Sequence, residues 1–267
     1  MAAYCSQCGE KRRDHADWKL SRIMGETFAE LTNLEHSKLW QTFRLLLFKP
    51  GQLTRDHWNG RRKRYLGPVK LYLIFFAFSL VLYSIHRPTA VYDVRTLEAA
   101  DSRGNMPKKF EELAEKRRVP KPQIIQEVNS RWQSYLSMSQ IAYPLFVALA
   151  LKLLLHRRRL YFAEHLIFAL HVLAFMLVFF VVVWPVFVLF GIQRSADLHS
   201  PAYLVISGAT FVVIAAYLFF ALQRAYAESW LAALIKSALI LFTYILTSMV
   251  FLWGTFALAM ILTSRGG

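Results

Sequence analysis

From residue 68 onward the chain is a succession of long apolar runs joined by short charged segments. The runs are Pro68–Ile85, Tyr135–Leu155, Tyr161–Gly191, Pro201–Leu222 and Trp230–Thr263. A bilayer's hydrocarbon layer is about 30 Å thick and takes about 20 apolar helical residues to cross. On that criterion the pattern predicts five transmembrane helices. Pro68 sits at a tolerated first-turn position of the first run, with Lys70 just inside it. Pro144 predicts a kink in the second run, and Trp184-Pro185 a bend or an end in the third. The fifth run would be about 50 Å long as a helix. Folding it into a hairpin would give two spans of about 17 residues and leave no room for a turn, so it is read as one span.

The segments outside these runs are polar and helix-prone. Trp18, Ile23, Phe28 and Leu31 are spaced among charged residues in a loosely amphipathic way, whereas Leu39, Trp40, Phe43, Leu46 and Leu47 fall on one face at helical spacing. The second pattern lies beside basic residues and suits either a helix lying in the membrane interface or one packed on its neighbours. Pro50-Gly51 breaks it. Residues 86–134 are helix-prone around Pro107–Arg118, are interrupted at Pro120 and Pro122, and resume from Gln123 to Trp132. With few large apolar side chains this segment is expected to bury little core and to act as a helical cap or a partner-binding loop. The expected organisation is therefore a cytoplasmic region at 1–67, a first span at 68–85, a long extracytoplasmic loop at 86–134 and four further spans within 135–263.

Composition narrows the class. The 267 residues are 56% hydrophobic and only 18% charged, yet 32 Lys+Arg against 17 Asp+Glu leave a formal charge of +15. That combination argues against a soluble enzyme, a disordered tail or a collagen-like rod, and two cysteines exclude a disulfide scaffold. Residues 1–67 carry 13 basic and 7 acidic side chains, ending in Arg61-Arg62-Lys63-Arg64 directly before the first run. Lys152, Arg157, Arg158 and Arg159 crowd the turn between the second and third runs, and Arg224 follows the fourth. Loop 86–134 is more nearly balanced, with ten basic and seven acidic residues. Basic residues in short loops stay in the cytoplasm, so the N-terminus is expected inside and the C-terminus outside. The excess charge marks one membrane face rather than a nucleic-acid stripe, and no nucleic-acid partner is expected. Residues 1–30 lack an apolar signal-peptide core.

Cys5-Ser-Gln-Cys8-Gly9 has the spacing of a zinc knuckle, in which two thiolates share one tetrahedral metal. Four ligands are needed. His15 and His36 could complete the set, two chains could pool their pairs, or the thiols could be the free remnant of a degenerate knuckle; a thioredoxin-like redox pair is less favoured because no βαβ pattern surrounds it.

Several strings together resemble a known family. They are Leu45-Leu-Leu-Phe-Lys-Pro-Gly51, Arg55, Gly60-Arg-Arg-Lys-Arg-Tyr65, Pro68, Tyr72, the Cys-x-x-Cys-Gly start, Tyr161-Phe-Ala-Glu-His165 through His171, and Arg224-Ala-Tyr226. In this order they resemble an uncharacterised bacterial multi-pass membrane family, catalogued as domain of unknown function 3667. The resemblance implies an inner-membrane location and no established activity. Many relatives look as if they carry a complete zinc ribbon with two Cys pairs. Here only one pair is present, with Glu10 in place of the usual Gln. A start codon placed too far downstream would produce the same departure.

Ionisable residues inside spanning helices are costly and are functional candidates by default. The third run holds three: Glu164, His165 and His171. Glu164, Phe168 and His171 share one helix face at i, i+4 and i+7. They are read either as structural, with Glu164 paired to Arg224 or a neighbouring basic side chain and His171 bonded to a facing helix, or as a proton relay or general acid/base pair, or as metal ligands. Glu-His-x5-His is not the His-Glu-x-x-His arrangement that puts two histidines on one zinc. No phosphate-cradling Gly loop, nucleophile elbow or Cys–His pattern is visible, and no catalytic residue is assigned.

The chain is therefore expected to be an all-α membrane protein of about five spans with a short amphipathic-helical cytoplasmic front. Arg61, Arg62, Arg64, Arg158 and Arg224 are the candidates for an anionic lipid headgroup or phosphate, and the positive-inside rule alone also accounts for them. Two functional readings stand: a non-enzymatic module that engages anionic lipid or a protein partner at the cytoplasmic leaflet, and a membrane enzyme or proton-coupled transporter using Glu164 and His171. Five spans without an internal repeat are few for a monomeric carrier, so transport would call for a homo-oligomer.

Overall fold

The computed structural model describes residues 36–86, 93–101, 104–156, 158–190 and 200–265. Cys5, Cys8 and His15, and with them the zinc question, lie outside the described residues. Regular structure among the described residues is helical. In chain order it comprises α1 (His36–Phe48), α2 (Gln52–Trp58), α3 (Pro68–His86), α4 (Val94–Ala100), α5 (Asn105–Arg117), α6 (Lys121–Ser139), α7 (Tyr143–Leu154), α8 (Phe162–Leu189), α9 (Pro201–Tyr226) and α10 (Trp230–Arg265).

Three of these, α8, α9 and α10, are long and apolar enough to cross a membrane, and the bent pair α6 and α7 adds a fourth if it is one span. The chain is an all-α membrane protein. By length and composition it has three to four candidate crossings among the described residues, against the five expected. The difference lies in the first two runs. The described apolar part of α3, Pro68–Leu82, is shorter than the other candidates. The second run is broken at residues 140–142, between α6 and α7. Pro144 accounts for the break: it lacks an N–H, and its ring would collide with the carbonyl of Gln140 if the helix ran through.

The residues group into two compact units, and α3, α8, α9 and α10 each contribute to both. The first unit takes the described residues within 36–81, 144–183 and 208–244. Its centre is the first half of α8, where every residue from Ala163 to Met176 is buried. A helix that is apolar on all sides belongs in the middle of a bundle. Helix α9 offers this unit Ile214, Tyr217, Leu218, Ala221 and Leu222, spaced at three and four residues, and the Tyr217 ring stacks on Phe175 at 3.5 Å. Early α10 adds Ala233, Ser237, Ile240 and Leu241 on the same principle. Its opposite face leaves Leu231, Leu234, Ile235 and Phe242 exposed, a stripe suited to lipid.

Helix α1 resolves one of the alternatives read from the sequence. Leu46 and Thr42 are buried, while Trp40 and Phe48 are exposed. The helix packs on neighbours along one edge of its apolar face. Thr42 Oγ1 donates to Lys38 O at 2.6 Å and accepts from Leu66 N–H at 3.0 Å, tying α1 to the segment that enters α3. The C-terminal end of α1 is satisfied from α9: the Tyr217 hydroxyl donates to Leu46 O at 2.9 Å and Arg224 Nη1 donates to Pro50 O at 2.8 Å. The turn between α1 and α2 depends on Gly51, whose φ of +76° is left-handed and whose missing Cβ would lie 2.5 Å from Ala221 O.

The second unit takes the described residues within 82–143, 184–207 and 245–265. The expectation that segment 86–134 buries little is overturned. Val94, Phe110, Leu113, Ala114, Ile124, Ile125, Val128 and Trp132 form a buried cluster with Phe256 and Ala259 of α10. The segment lacks enough apolar surface of its own, and the last turns of α10 supply the missing wall. Trp132 Nε1 donates to Leu252 O at 3.2 Å, its ring meets Phe256 edge-on at 5.1 Å, and Arg117 donates to Thr263 O at 3.2 Å. At 36 residues, or about 54 Å at the α-helical rise, α10 outruns a bilayer's apolar layer and has turns to spare for this packing.

Candidate functional site

The unusual polar residues of the first unit gather where α2, the loop after it, the start of α8 and the end of α9 meet. Helix α2 supplies Thr54, Asp56 and Trp58. Thr54 Oγ1 lies 2.9 Å from His171 Nδ1, and both side chains are buried. Asp56 is also buried. It accepts from Gln52 Nε2 at 3.0 Å, from the Tyr65 hydroxyl at 3.0 Å and more distantly from Arg61 Nη1 at 3.5 Å. One carboxylate therefore ties together both ends of the basic loop. Burial, and next the hydrogen bond to the Asp56 carboxylate, hold the Tyr65 phenol above its ordinary pKa, so its hydroxyl remains a donor there.

The loop carries four consecutive basic residues. Arg61 is 68% exposed at its side chain, Lys63 and Arg64 are exposed, and Arg62 turns inward to donate from Nε to His57 O at 3.1 Å. The Arg64 guanidinium lies 6.0 Å from the Tyr65 ring centre, within cation–π range. Lys152, at the end of α7, donates to Leu160 O at 2.5 Å.

At the start of α8, Glu164 accepts from Tyr161 N–H at 2.7 Å. Glu164 is the third residue of the helix and Tyr161 the residue before it, so this is the returning half of a capping box. A carboxylate there is also favoured by the helix dipole. The expected Glu164–Arg224 ion pair is not formed, because Arg224 is held at Pro50 O. His165 is fully buried. Its Nδ1 lies 2.9 Å from the Tyr226 hydroxyl, and its ring stacks on Tyr226 at 5.7 Å. Phe168 and Trp58 meet the same Tyr226 ring edge-on, at 5.1 Å and 5.0 Å.

Of the five arginines expected to bind an anion, three have structural duties, Arg62 at His57 O being one. Arg224 caps α1, and Arg158 pairs at 3.2 Å with Glu228, which Lys236 also binds at 2.8 Å. Arg61, Arg62 and Arg64 stay together in one loop. Glu164 and His171 share a helix face but are engaged by different partners, Tyr161 and Thr54. Among the described residues no group of three or more His, Cys, Asp or Glu could hold a metal ion. Sequence reasoning did not single out Thr54, Asp56 or Trp58. Asp56 carried a signal, being the only acidic residue between Glu35 and Asp93 in an otherwise basic stretch. Thr54 and Trp58 carried none, since neither residue type is unusual in a short helix.

Residues 36–80 match the model of a family described as Protein of unknown function (DUF3667). That match is narrower than the whole-chain resemblance. It covers α1, α2, the basic loop and the first turns of α3, so the stretch recognisable as this uncharacterised domain brings Thr54, Asp56, Trp58 and Arg61–Tyr65 to the site. No curated protein and no solved structure matches the chain.

Proposed function

We propose that this membrane protein engages anionic lipid headgroups through the basic loop at residues 61–64, acting as a binding module rather than by chemistry of its own. One observation supports the reading above others. Arg61, Lys63 and Arg64 are exposed immediately ahead of an apolar helix, in a loop anchored from beneath by the buried Asp56 carboxylate. A pre-shaped loop loses little freedom when it binds. Each Lys or Arg near an anionic membrane surface contributes about 1 kcal/mol. The excess of Lys and Arg in the short loops supports placing this loop at the cytoplasmic leaflet, and an odd number of crossings would then leave the C-terminus outside.

The test is the lipid that copurifies. Changing Arg61→Gln and Arg64→Gln together, while sparing Arg62 because it holds His57 O, should lower copurified phosphatidylglycerol and cardiolipin severalfold without lowering abundance in the membrane. Unchanged lipid content at normal abundance would refute the reading. The acid/base alternative draws less support, because Glu164 and His171 are each committed to other partners.

A further inference from the structure

Helix α1 turns one face away from the bundle. Thr42 and Leu46 are buried against their neighbours, whereas Trp40 is 67% exposed, Phe48 is 76% exposed and Arg44 between them is exposed as well. Residues 40, 44 and 48 are four apart and make one stripe along the helix. Large apolar side chains left in water forgo the free energy of burial, so two of them on one stripe call for a cover.

Three observations identify that cover. The first is position. Tyr217 and Arg224 bond the C-terminal end of α1 at Leu46 O and Pro50 O, which holds that end beside the last ten residues of α9. At 26 residues, or about 39 Å, α9 is longer than the roughly 30 Å apolar layer of a bilayer, and its ends reach the headgroups. The second is continuity. The Trp40 ring stacks on Phe43 at 6.0 Å, Phe43 meets Phe75 of α3 at 6.1 Å, and Phe78, three residues further along α3, is itself half exposed. The stripe therefore joins an apolar surface that continues onto the apolar helix α3. The third is charge. From His36 to Arg55 there are four basic residues and no acidic one, and three of the four, Arg44, Lys49 and Arg55, are exposed. Aromatic rings flanking an arginine suit a headgroup layer, where the rings reach the acyl boundary and the guanidinium bends back to phosphate.

We infer that α1 is an in-plane membrane anchor whose Trp40, Arg44 and Phe48 stripe sits in the headgroup layer of an anionic bilayer, with Arg44 meeting lipid phosphate. The lipid class is that of the Arg61–Arg64 reading, but the residues are different, and each surface can fail without the other.

The test uses the full-length protein in nanodiscs of phosphatidylethanolamine and phosphatidylglycerol, in a Cys5→Ser, Cys8→Ser background. Trp40→Cys and Phe48→Cys are labelled separately with a nitrobenzoxadiazole fluorophore, itself an aromatic group. Lys109→Cys, exposed on the polar helix α5, is the reference in water. Nitroxide-bearing lipid should quench the label at positions 40 and 48, and aqueous iodide should quench it severalfold less there than at position 109. Nitroxide phosphatidylglycerol should quench more strongly than the same amount of nitroxide phosphatidylcholine. Arg44→Gln with Lys49→Gln should abolish that difference, since these cations attract the anionic lipid. Iodide quenching equal to that at position 109 would put the stripe in water and overturn the proposal. Shielding from both quenchers would overturn it as well, by showing that protein covers the stripe, either residues 1–35 of the same chain or a second copy. Equal quenching by the two lipids before the cations are removed would refute the anionic preference. The Arg61→Gln, Arg64→Gln protein should keep the lipid quenching at positions 40 and 48, so a loop that fails to bind lipid leaves this result standing.

Discussion

The Thr54 hydroxyl and the His171 imidazole lie 2.9 Å apart and are 117 residues apart in sequence. One belongs to a seven-residue helix in the basic front of the chain, the other to the buried centre of α8. The short helix is therefore part of the bundle, and its attachment has a measurable energy. Thr54→Val or His171→Leu alone should cost about 1–3 kcal/mol, because each leaves a buried polar partner unmet. The double change should cost less than the sum of the two. A double-mutant cycle on thermal or denaturant unfolding in detergent reads the difference. Strict additivity would mean that the two side chains do not interact.

Gly51 and Gly60 offer a matched pair. Both have left-handed φ, +76° and +86°, but a Cβ at Gly51 would lie 2.5 Å from Ala221 O, whereas nothing lies within 4 Å at Gly60. Gly60→Ala should cost only the conformational strain, about 1 kcal/mol. Gly51→Ala adds a collision with helix backbone that has no slack, and should sharply lower the amount of folded protein in the membrane. Abundance and apparent Tm of the two variants, measured side by side, test whether the α1–α2 turn rests on α9. Equal behaviour would contradict the close approach.

The membrane class and the three long helices were legible because apolar runs report helix length directly, and the spacing of Leu39, Phe43 and Leu46 announced α1. The packing side of α1 was not legible, since Trp40 and Leu46 are equally apolar and only the tertiary neighbours decide which is buried. Likewise Glu164, His165 and His171 stood out as costly residues, but their partners did not. Tyr161, Tyr226 and Thr54 are ordinary residue types whose roles depend on where the chain returns. The core under segment 93–139 escaped notice for the same reason, because it is closed by Phe256 and Ala259, more than a hundred residues away.

That core makes Trp132 a sensitive position. The side chain is 1% exposed, donates to Leu252 O at 3.2 Å and packs edge-on against Phe256. Trp132→Ala should cost about 3–5 kcal/mol, as large-to-small changes in a packed core do. Trp132→Phe keeps most of the packing and loses the N–H, which should cost about 1 kcal/mol. Limited proteolysis within residues 93–139 provides the readout. Cleavage should accelerate strongly in Trp132→Ala and modestly in Trp132→Phe, and equal rates in all three proteins would argue that the cluster contributes nothing.

Orientation decides which leaflet the basic loop meets. Ser130 and Arg159 are both exposed and lie on either side of the second apolar run. In a Cys5→Ser, Cys8→Ser background, Ser130→Cys should react with a membrane-impermeant maleimide in intact cells. Arg159→Cys should react only after permeabilisation. This follows from the four basic residues at Lys152 and Arg157–Arg159, set against the near balance of ten basic and seven acidic residues in the long loop. With α3 crossing the membrane, the reverse labelling would move the Arg61–Arg64 loop to the outer leaflet and remove the charge argument for a cytoplasmic headgroup. Labelling of both positions in intact cells would mean that the second run does not cross the membrane, in keeping with its break at residues 140–142.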